Sequence, residues 1–290
     1  MPQPMAYLAL AFNALVWGLS WWPFRQFHAA GLHPLWTTAL LYSLSLLVIA
    51  IGSRGSLAEL RRSPGLWVVM LAAGTSNTCF NWGVATGDVV RVVLLFYLMP
   101  LWAVLLARLI LGEQLTVLAL GRMGLALAGA ATVLWPEGGG LPLPSSLPDW
   151  LGVAGGFAFA LNNVMLRREA ARDASARALA MFSGGAVVAG LAALALSGSG
   201  LSPWPSLPGW LWAVPVAAAA LLFFLSNLSL QYGAARLPAN VTAVIMLIEV
   251  PAAAISALWL GGGSLDGKTA IGGLCILAAA LLAVLAPRPR

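Results

Sequence analysis

Ten stretches of this chain are each apolar over the length an α-helix needs to cross a lipid bilayer: residues 5–24, 33–52, 65–86, 91–111, 117–136, 150–168, 177–197, 208–230, 238–260 and 268–286. A hydrocarbon core about 30 Å thick takes roughly 20 such residues per helix. A water-soluble globule is not a competing solution. Only 8% of the residues are charged, against about 25% in a soluble domain, so there is too little polar surface to coat a core. The connections are short, and no attached soluble domain is expected. The first stretch lacks a basic leader and is rich in tryptophan, unlike a cleaved signal peptide.

The basic residues sort by side. With the N-terminus inside, the inner loops receive Arg54, Arg61, Arg62, Arg108, Arg122, Arg167, Arg168, Arg172, Arg177, Arg236, Arg288 and Arg290, and the outer loops Arg25, Arg91 and Lys268: 12 against 3 of the 15 cations. Cytoplasmic loops are enriched in Lys and Arg. The asymmetry therefore predicts both termini inside and supports ten crossings, since a wrong count would scramble it. The net charge of +6 thus reports topology, and no nucleic-acid partner is expected. Cys79 and Cys275 fall within spans, which argues against an extracellular disulfide framework. Two cysteines and two histidines, His28 and His33, make a structural zinc site unlikely on composition.

The chain repeats itself. A shift of 150 pairs Trp82-Gly83 with Tyr232-Gly233 and Gly112 with Gly262, and a shift of 151 pairs Pro100 with Pro251 and Gly121 with Gly272. Nearer the start, a shift of 142 lays "WGLSWW" on "FALNNV" and Arg25 on Arg167. Five helices is an odd number, so the second copy enters the membrane inverted. The expected fold is an all-α polytopic membrane protein of ten helices, built as two inverted five-helix repeats around a central cavity. The first repeat is 1–136, the exterior linker 137–149 and the second repeat 150–290. Inverted repeats are common in secondary transporters, with the substrate site near the midplane between the halves.

Polar groups within the spans mark where that cavity would lie, because they are costly in lipid and usually face the bundle interior. Asn77 and Asn81 are four residues apart and share a helix face. Asn227 and Gln231 repeat the pair at a shift of 150, and Phe80 lies near the same face. These amides either line a cavity or act as interhelical glue, for which such hydrogen bonds are worth about 0.6 kcal/mol on average. Glu249, in "VIMLIEVPAAA", is the deepest acid, with Thr242, Met246, Ala253 and Ser256 on its face. A bare carboxylate there is expensive, so it stays protonated or meets a cation: a substrate ammonium, a coupling proton or an arginine. The alternative is a structural acid bonded within the bundle. Pro251 leaves a carbonyl of the preceding turn without its donor, to serve a ligand or permit a bend.

In "NALVWGLSWWPF" the residues Asn13, Trp17, Ser20 or Trp21, and Phe24 form one stripe. Trp21 and Trp22 also suit interface anchoring next to Arg25. Trp17 lies about two turns deeper and suits a cavity wall. Asn162 and Asn163 occupy the matching place in the sixth span. An aromatic wall facing an amide wall fits a molecule with an apolar ring and a polar head, and aromatic faces attract ammonium groups. Phe96 and Met99 are the shift-150 counterparts of Met246 and Glu249. The expected substrate-binding set is therefore Trp17, Trp21, Asn77, Phe80, Asn81, Phe96, Met99, Asn163, Asn227, Met246 and Glu249. Tyr97 is expected to face partly away and Tyr42 to pack. Asp88 and Arg91 read as an exposed pair at an outer turn.

"LVWGLSW", the run "LMPLWAVLLARLILGEQLT" and its partial echo in the last two spans resemble the drug/metabolite transporter superfamily, in its EamA-like branch. The aromatic content looks most like YddG-type bacterial exporters of aromatic amino acids. The resemblance implies a ten-helix basket in the bacterial inner membrane that exports amino acids or related metabolites. The second copy departs from it at Gly261-Gly262-Gly263-Ser264, which leaves Glu113 without a counterpart.

Other classes fit less well. An intramembrane enzyme would need a nucleophile–base pair or a metal cluster, and the spans hold no buried histidine and no paired carboxylates. A pore usually needs a ring of like residues. A scaffold protein would not need a polar midplane. The expected partners are a small-molecule substrate and the lipid bilayer, with protons a candidate coupling ion, no cofactor, and a monomer as a sufficient unit.

Overall fold

The computed structural model describes residues 3–52, 54–114, 116–136, 140–206, 209–234, 236–237 and 239–285. The side chains of Arg54, Gln231, Arg288 and Arg290, which entered the charge and amide patterns above, lie outside what is described, as do residues 137–139 of the expected linker. Among the described residues every regular element is helical: α1 Gln3–Leu19, α2 Trp21–Ala29, α3 Pro34–Gly52, α4 Arg54–Arg62, α5 Pro64–Thr86, α6 Val89–Phe96, α7 Met99–Leu106, a π-turn Ala107–Leu111, α8 Val117–Leu134, α9 Leu147–Arg168, α10 Ala174–Ser197, α11 Gly209–Ala234, α12 Ala239–Met246, α13 Glu249–Leu260 and α14 Gly267–Leu285. Among the described residues five stretches are long and apolar enough to cross a bilayer: Pro4–Ala29, Val89–Leu111, Val117–Leu134, Ala174–Ser197 and Ala213–Leu230. Shorter apolar helices run at Pro34–Leu47, Glu249–Leu260 and Gly267–Leu282.

Two expected spans are not continuous helices. The fourth breaks at Tyr97–Leu98, between α6 and α7, and the ninth at Leu247–Ile248, between α12 and α13. The breaks are 150 residues apart and share a construction. At each a tight i→i+3 turn forms, Leu98 N–H to Leu95 C=O at 3.2 Å and Ile248 N–H to Ile245 C=O at 3.0 Å. A proline follows, Pro100 or Pro251, and removes a donor that a continuous helix would need. Both helices then end on a left-handed glycine, Gly112 at φ 73° and Gly261 at φ 69°, which closes a helix without a Cβ clash. Glu249 is therefore the first residue of a half-helix, not a residue in mid-helix. The carbonyl of Leu247 accepts the Val250 N–H at 3.2 Å, so the proline there serves a bend.

The two halves interleave. Helix α5 packs on α9 and α10, α3 on α10, α8 on α14, and α1 on α11 and α13. Small residues permit these approaches. A Cβ on Gly129 would sit 2.6 Å from the Gly272 carbonyl oxygen, and one on Gly272 would sit 2.5 Å from that of Gly129. Likewise Gly18 of α1 lies on the backbone of the α12/α13 break, where a Cβ would be 2.7 Å from the Glu249 carbonyl oxygen, and Gly156 of α9 lies on the Phe96 carbonyl at the α6/α7 break.

One end of the bundle is basic. It carries the short helix α4, unforeseen between the second and third stretches, and the loop from Glu169 to Asp173. There Arg167 pairs with Glu113, Arg172 pairs with Glu59 at 3.8 Å, and Ser56 bonds Ser175 at 2.6 Å. Glu113, without a counterpart in the second half, thus has a partner in α9. Hydrogen bonds from the Ser175 hydroxyl and N–H hold Asp173 below the usual carboxylate range.

The opposite end is closed by contacts between the halves. Arg91 grips Asp149 at two points, 2.7 and 3.0 Å, and Asp149 also closes a capping box with Ser146 at the start of α9. Asp88 caps α6 and accepts from Ser264 N–H at 2.7 Å and from its hydroxyl at 3.0 Å. Asp88 and Arg91 are thus not an exposed pair. Each reaches a residue distant in the chain, Arg91 the start of α9 and Asp88 the turn after α13.

Candidate substrate cavity

From the closed end, residues 89–96 and 250–257 run inward to the two breaks, packed with Trp21, Val133, Ile276 and Ala279 into the main apolar core. The cavity lies at the breaks and extends toward the basic end. It measures about 640 Å³, within the range of small-molecule sites.

Nine of the eleven expected residues line it: Trp17, Asn77, Phe80, Phe96, Met99, Asn163, Asn227, Met246 and Glu249. Residues related by the shift of 150 line it together, among them Asn77 and Asn227, Phe80 and Leu230, Phe96 and Met246, Tyr97 and Leu247, and Met99 and Glu249. Its aromatic rings form two clusters. Phe96 lies 4.8 Å from Phe80 and 5.5 Å from Phe159 between ring centres, and Trp17 meets Phe223 edge-on at 5.1 Å.

Two expected residues stand apart from this wall. Trp21 is 2% exposed; its indole donates to Ser256 Oγ at 2.9 Å, and its ring packs over Gly262. It clamps α2 to α13 on the closed side. Asn81 is 1% exposed and donates to Thr38 Oγ1 at 3.1 Å, beside a void of about 10 Å³ next to the cavity. One helical turn separates it from Asn77, enough to carry it out of the lumen. Gln231, its counterpart at the shift of 150, lies outside the described side chains.

The wall also holds residues the sequence reading ranked low or omitted. Tyr97 faces the lumen and donates to Glu249 Oε2 at 3.3 Å. A continuous wheel points it elsewhere, and the turn at 97–98 re-aims it. Tyr42, Phe159, Met181 and Phe182 complete the apolar lining. The shift of 142 that pairs Trp17 with Phe159 was a usable signal for one of these.

The amides have fixed orientations. Asn13 Nδ2 donates to the Ser226 carbonyl at 2.8 Å and to its hydroxyl at 2.6 Å, and Asn77 Nδ2 donates to the Ala73 carbonyl at 2.8 Å. A carbonyl only accepts, so the nitrogen must be the atom facing it. Asn13 Oδ1 and Asn162 Oδ1 are buried and receive no donor from the protein. Among the described residues lining the cavity, Glu249 is the one ionisable acid, and none is Arg, Lys or His.

A basket of helices broken at equivalent points around a polar lumen is how many carriers are built. Residues 4–135 match the EamA-like transporter family. This EamA-like domain spans α1 to α8 and supplies half of the cavity wall, including Trp17, Asn77, Phe96 and Tyr97. Together with the apolar helices, this match indicates a multi-pass membrane protein whose first half is similar to that family. No curated protein matches the chain. A solved structure, titled only as the crystal structure of a protein, is 20% identical over 97% of this chain and 96% of its own, with a TM-score of 0.56. At that identity the likeness shows the fold alone, and it extends through the second half, beyond the EamA-like domain.

Proposed function

We propose that the whole chain is a secondary transporter of ten crossings that carries small amphiphilic amino compounds, a class that includes the aromatic amino acids, by alternating access. The carrying observation is the lone Glu249 carboxylate at a helix break, set among aromatic rings in a cavity between two interleaved halves. The rings fit an apolar body, and the carboxylate fits an amino head. The breaks fit the mechanism, since discontinuous helices place ligand groups at the midplane while the halves rock. With the basic face cytoplasmic, as the charge asymmetry suggests, the cavity would load from the cytoplasm, the direction of an inner-membrane exporter. A proton exchanged with cargo at Glu249 would make the transport an antiport.

The test is counterflow in liposomes holding the purified protein. Vesicles are loaded with unlabelled phenylalanine, tryptophan and phenethylamine, and tracer is added outside, with and without a proton gradient. Saturable tracer accumulation that is lost in Glu249→Gln supports the reading. No saturable flux of any probe refutes it. A flux that ignores the proton gradient leaves a uniporter.

A further inference from the structure

The cavity's polar groups are unevenly matched, and this limits what its cargo can carry. Its one ionisable acid is Glu249, and no described lining residue is a cation that could neutralise a cargo carboxylate. The two half-helix N-termini offer only part of the usual substitute. A helix N-terminus holds an anion through free N–H groups. In α7 and α13 the prolines at positions 100 and 251 have none. The N–H groups of Leu101, Val250 and Ala252 are already bonded to the carbonyls of Leu98, Leu247 and Ile248, at 3.0, 3.2 and 3.1 Å. Glu249 itself occupies the start of α13, where an anion would have to sit.

Two lining amides are committed as acceptors. Asn13 and Asn77 donate their amide nitrogens to backbone carbonyls, which leaves their oxygens as the free ends. The Asn13 oxygen is buried beneath the wall, whereas Asn77 is only partly buried. The Asn77 oxygen is therefore the acceptor that a cargo N–H group would meet. Glu249 keeps one carboxylate oxygen beyond the one Tyr97 occupies.

We propose that the cavity takes its cargo as an organic ammonium cation with an aromatic or bulky apolar body, and that it discriminates against the same skeleton bearing a carboxylate. This rests on reading the cavity as the transport site and narrows its substrate class from amino compounds at large to amines. The ammonium sits against Glu249, its remaining hydrogens turn to the Asn77 oxygen, and the ring lies among Trp17, Phe96 and Phe159.

The test is titration calorimetry on the purified wild-type protein in detergent with three matched probes: phenethylamine, phenylalanine and 3-phenylpropionate. Phenethylamine is expected to bind about tenfold or more tightly than phenylalanine, the scale of a charge-assisted hydrogen bond lost or opposed, and 3-phenylpropionate is expected not to compete. Phenylalanine binding as tightly as phenethylamine would overturn the proposal and leave the transporter reading standing. Binding of none of the three would overturn both. Stepwise N-methylation of phenethylamine separates charge from N–H donation. Affinity should fall with each donor removed, and a trimethylammonium probe binding as well as the primary amine would overturn the role given to the Asn77 oxygen. In Glu249→Gln the preference for amine over zwitterion should collapse, whereas an intact preference would overturn the assignment of the ammonium to that residue.

Discussion

Tyr97 and Glu249 are 152 residues apart, one at each helix break, and the phenol donates to the carboxylate at 3.3 Å across the centre of the molecule. The bond joins the two halves at the point where each is least regular. Removing the carboxylate removes the cavity's charge. Removing the phenolic hydroxyl removes one hydrogen bond and leaves the charge. Glu249→Gln should therefore lower counterflow of an amine tracer about tenfold or more, and Tyr97→Phe by roughly a factor of two to ten, as expected for charged and single hydrogen bonds. Equal losses in the two variants would mean that the pair acts as a structural strut and not through its charge.

The two ends of the bundle hold ion pairs of different value. Asp149 has a side chain 3% exposed, bonds Arg91 at two points and caps α9. Arg172 and Glu59 are 46% and 28% exposed and sit at 3.8 Å. A buried charge left unpaired costs about 3 kcal/mol or more, whereas exposed pairs contribute about 0–1 kcal/mol. Asp149→Ala should lower the thermal midpoint in detergent by about 5 °C or more, and Arg172→Ala should stay within about 2 °C of wild type. A reversed order would show that the basic end, not the Arg91 end, holds the halves together.

Helix α8 offers a pair of glycine substitutions of opposite sign. Gly129 meets the Gly272 backbone, and a Cβ there would lie 2.6 Å from a carbonyl oxygen that cannot move aside. Gly124, on the same helix, has nothing within 4 Å. Gly129→Ala should destabilise by about 1–3 kcal/mol through overpacking. Gly124→Ala should be neutral or stabilising, because alanine in a helix interior is favoured over glycine by roughly 0.5–1 kcal/mol. Thermal denaturation of both variants in the same detergent decides it. A stable Gly129→Ala would mean that α8 and α14 are looser than their backbones indicate.

Much of this architecture is legible in the residues. Apolar runs of span length are hard to disguise, and the shift of 150 relates Asn77 to Asn227 and Met99 to Glu249, four residues that line one cavity. What escaped has a physical cause in each case. Tyr97 was misdirected because a helical wheel assumes a continuous helix, and the break begins three residues before the proline that reports it. Trp21 reads as part of an aromatic stripe, but its partner Ser256 is 235 residues away. The spacing of Asp88 and Arg91 suggests a local pair, while the carboxylate that Arg91 engages comes from the start of α9, 58 residues on. Helix α4 escaped because nine residues with charges at both ends do not resemble a span.

The prolines that shape the breaks make the last prediction. In Pro251→Ala a new N–H arises where a continuous helix would bond the Leu247 carbonyl, which now accepts from Val250 at 3.2 Å. Restoring that bond straightens α12 into α13 and draws Glu249 away from Tyr97. Pro100→Ala does the same to α6 and α7 from the other half. Each variant should keep or raise thermal stability, since a helix donor is gained, while counterflow falls. The double variant should lose more transport than either single one, because in the proposed mechanism both halves bend as the cavity changes the side it faces. The two readouts must move in opposite directions for the breaks to be functional hinges. Transport falling together with stability would instead make the prolines ordinary packing residues, and transport unchanged in the double variant would remove the breaks from the mechanism.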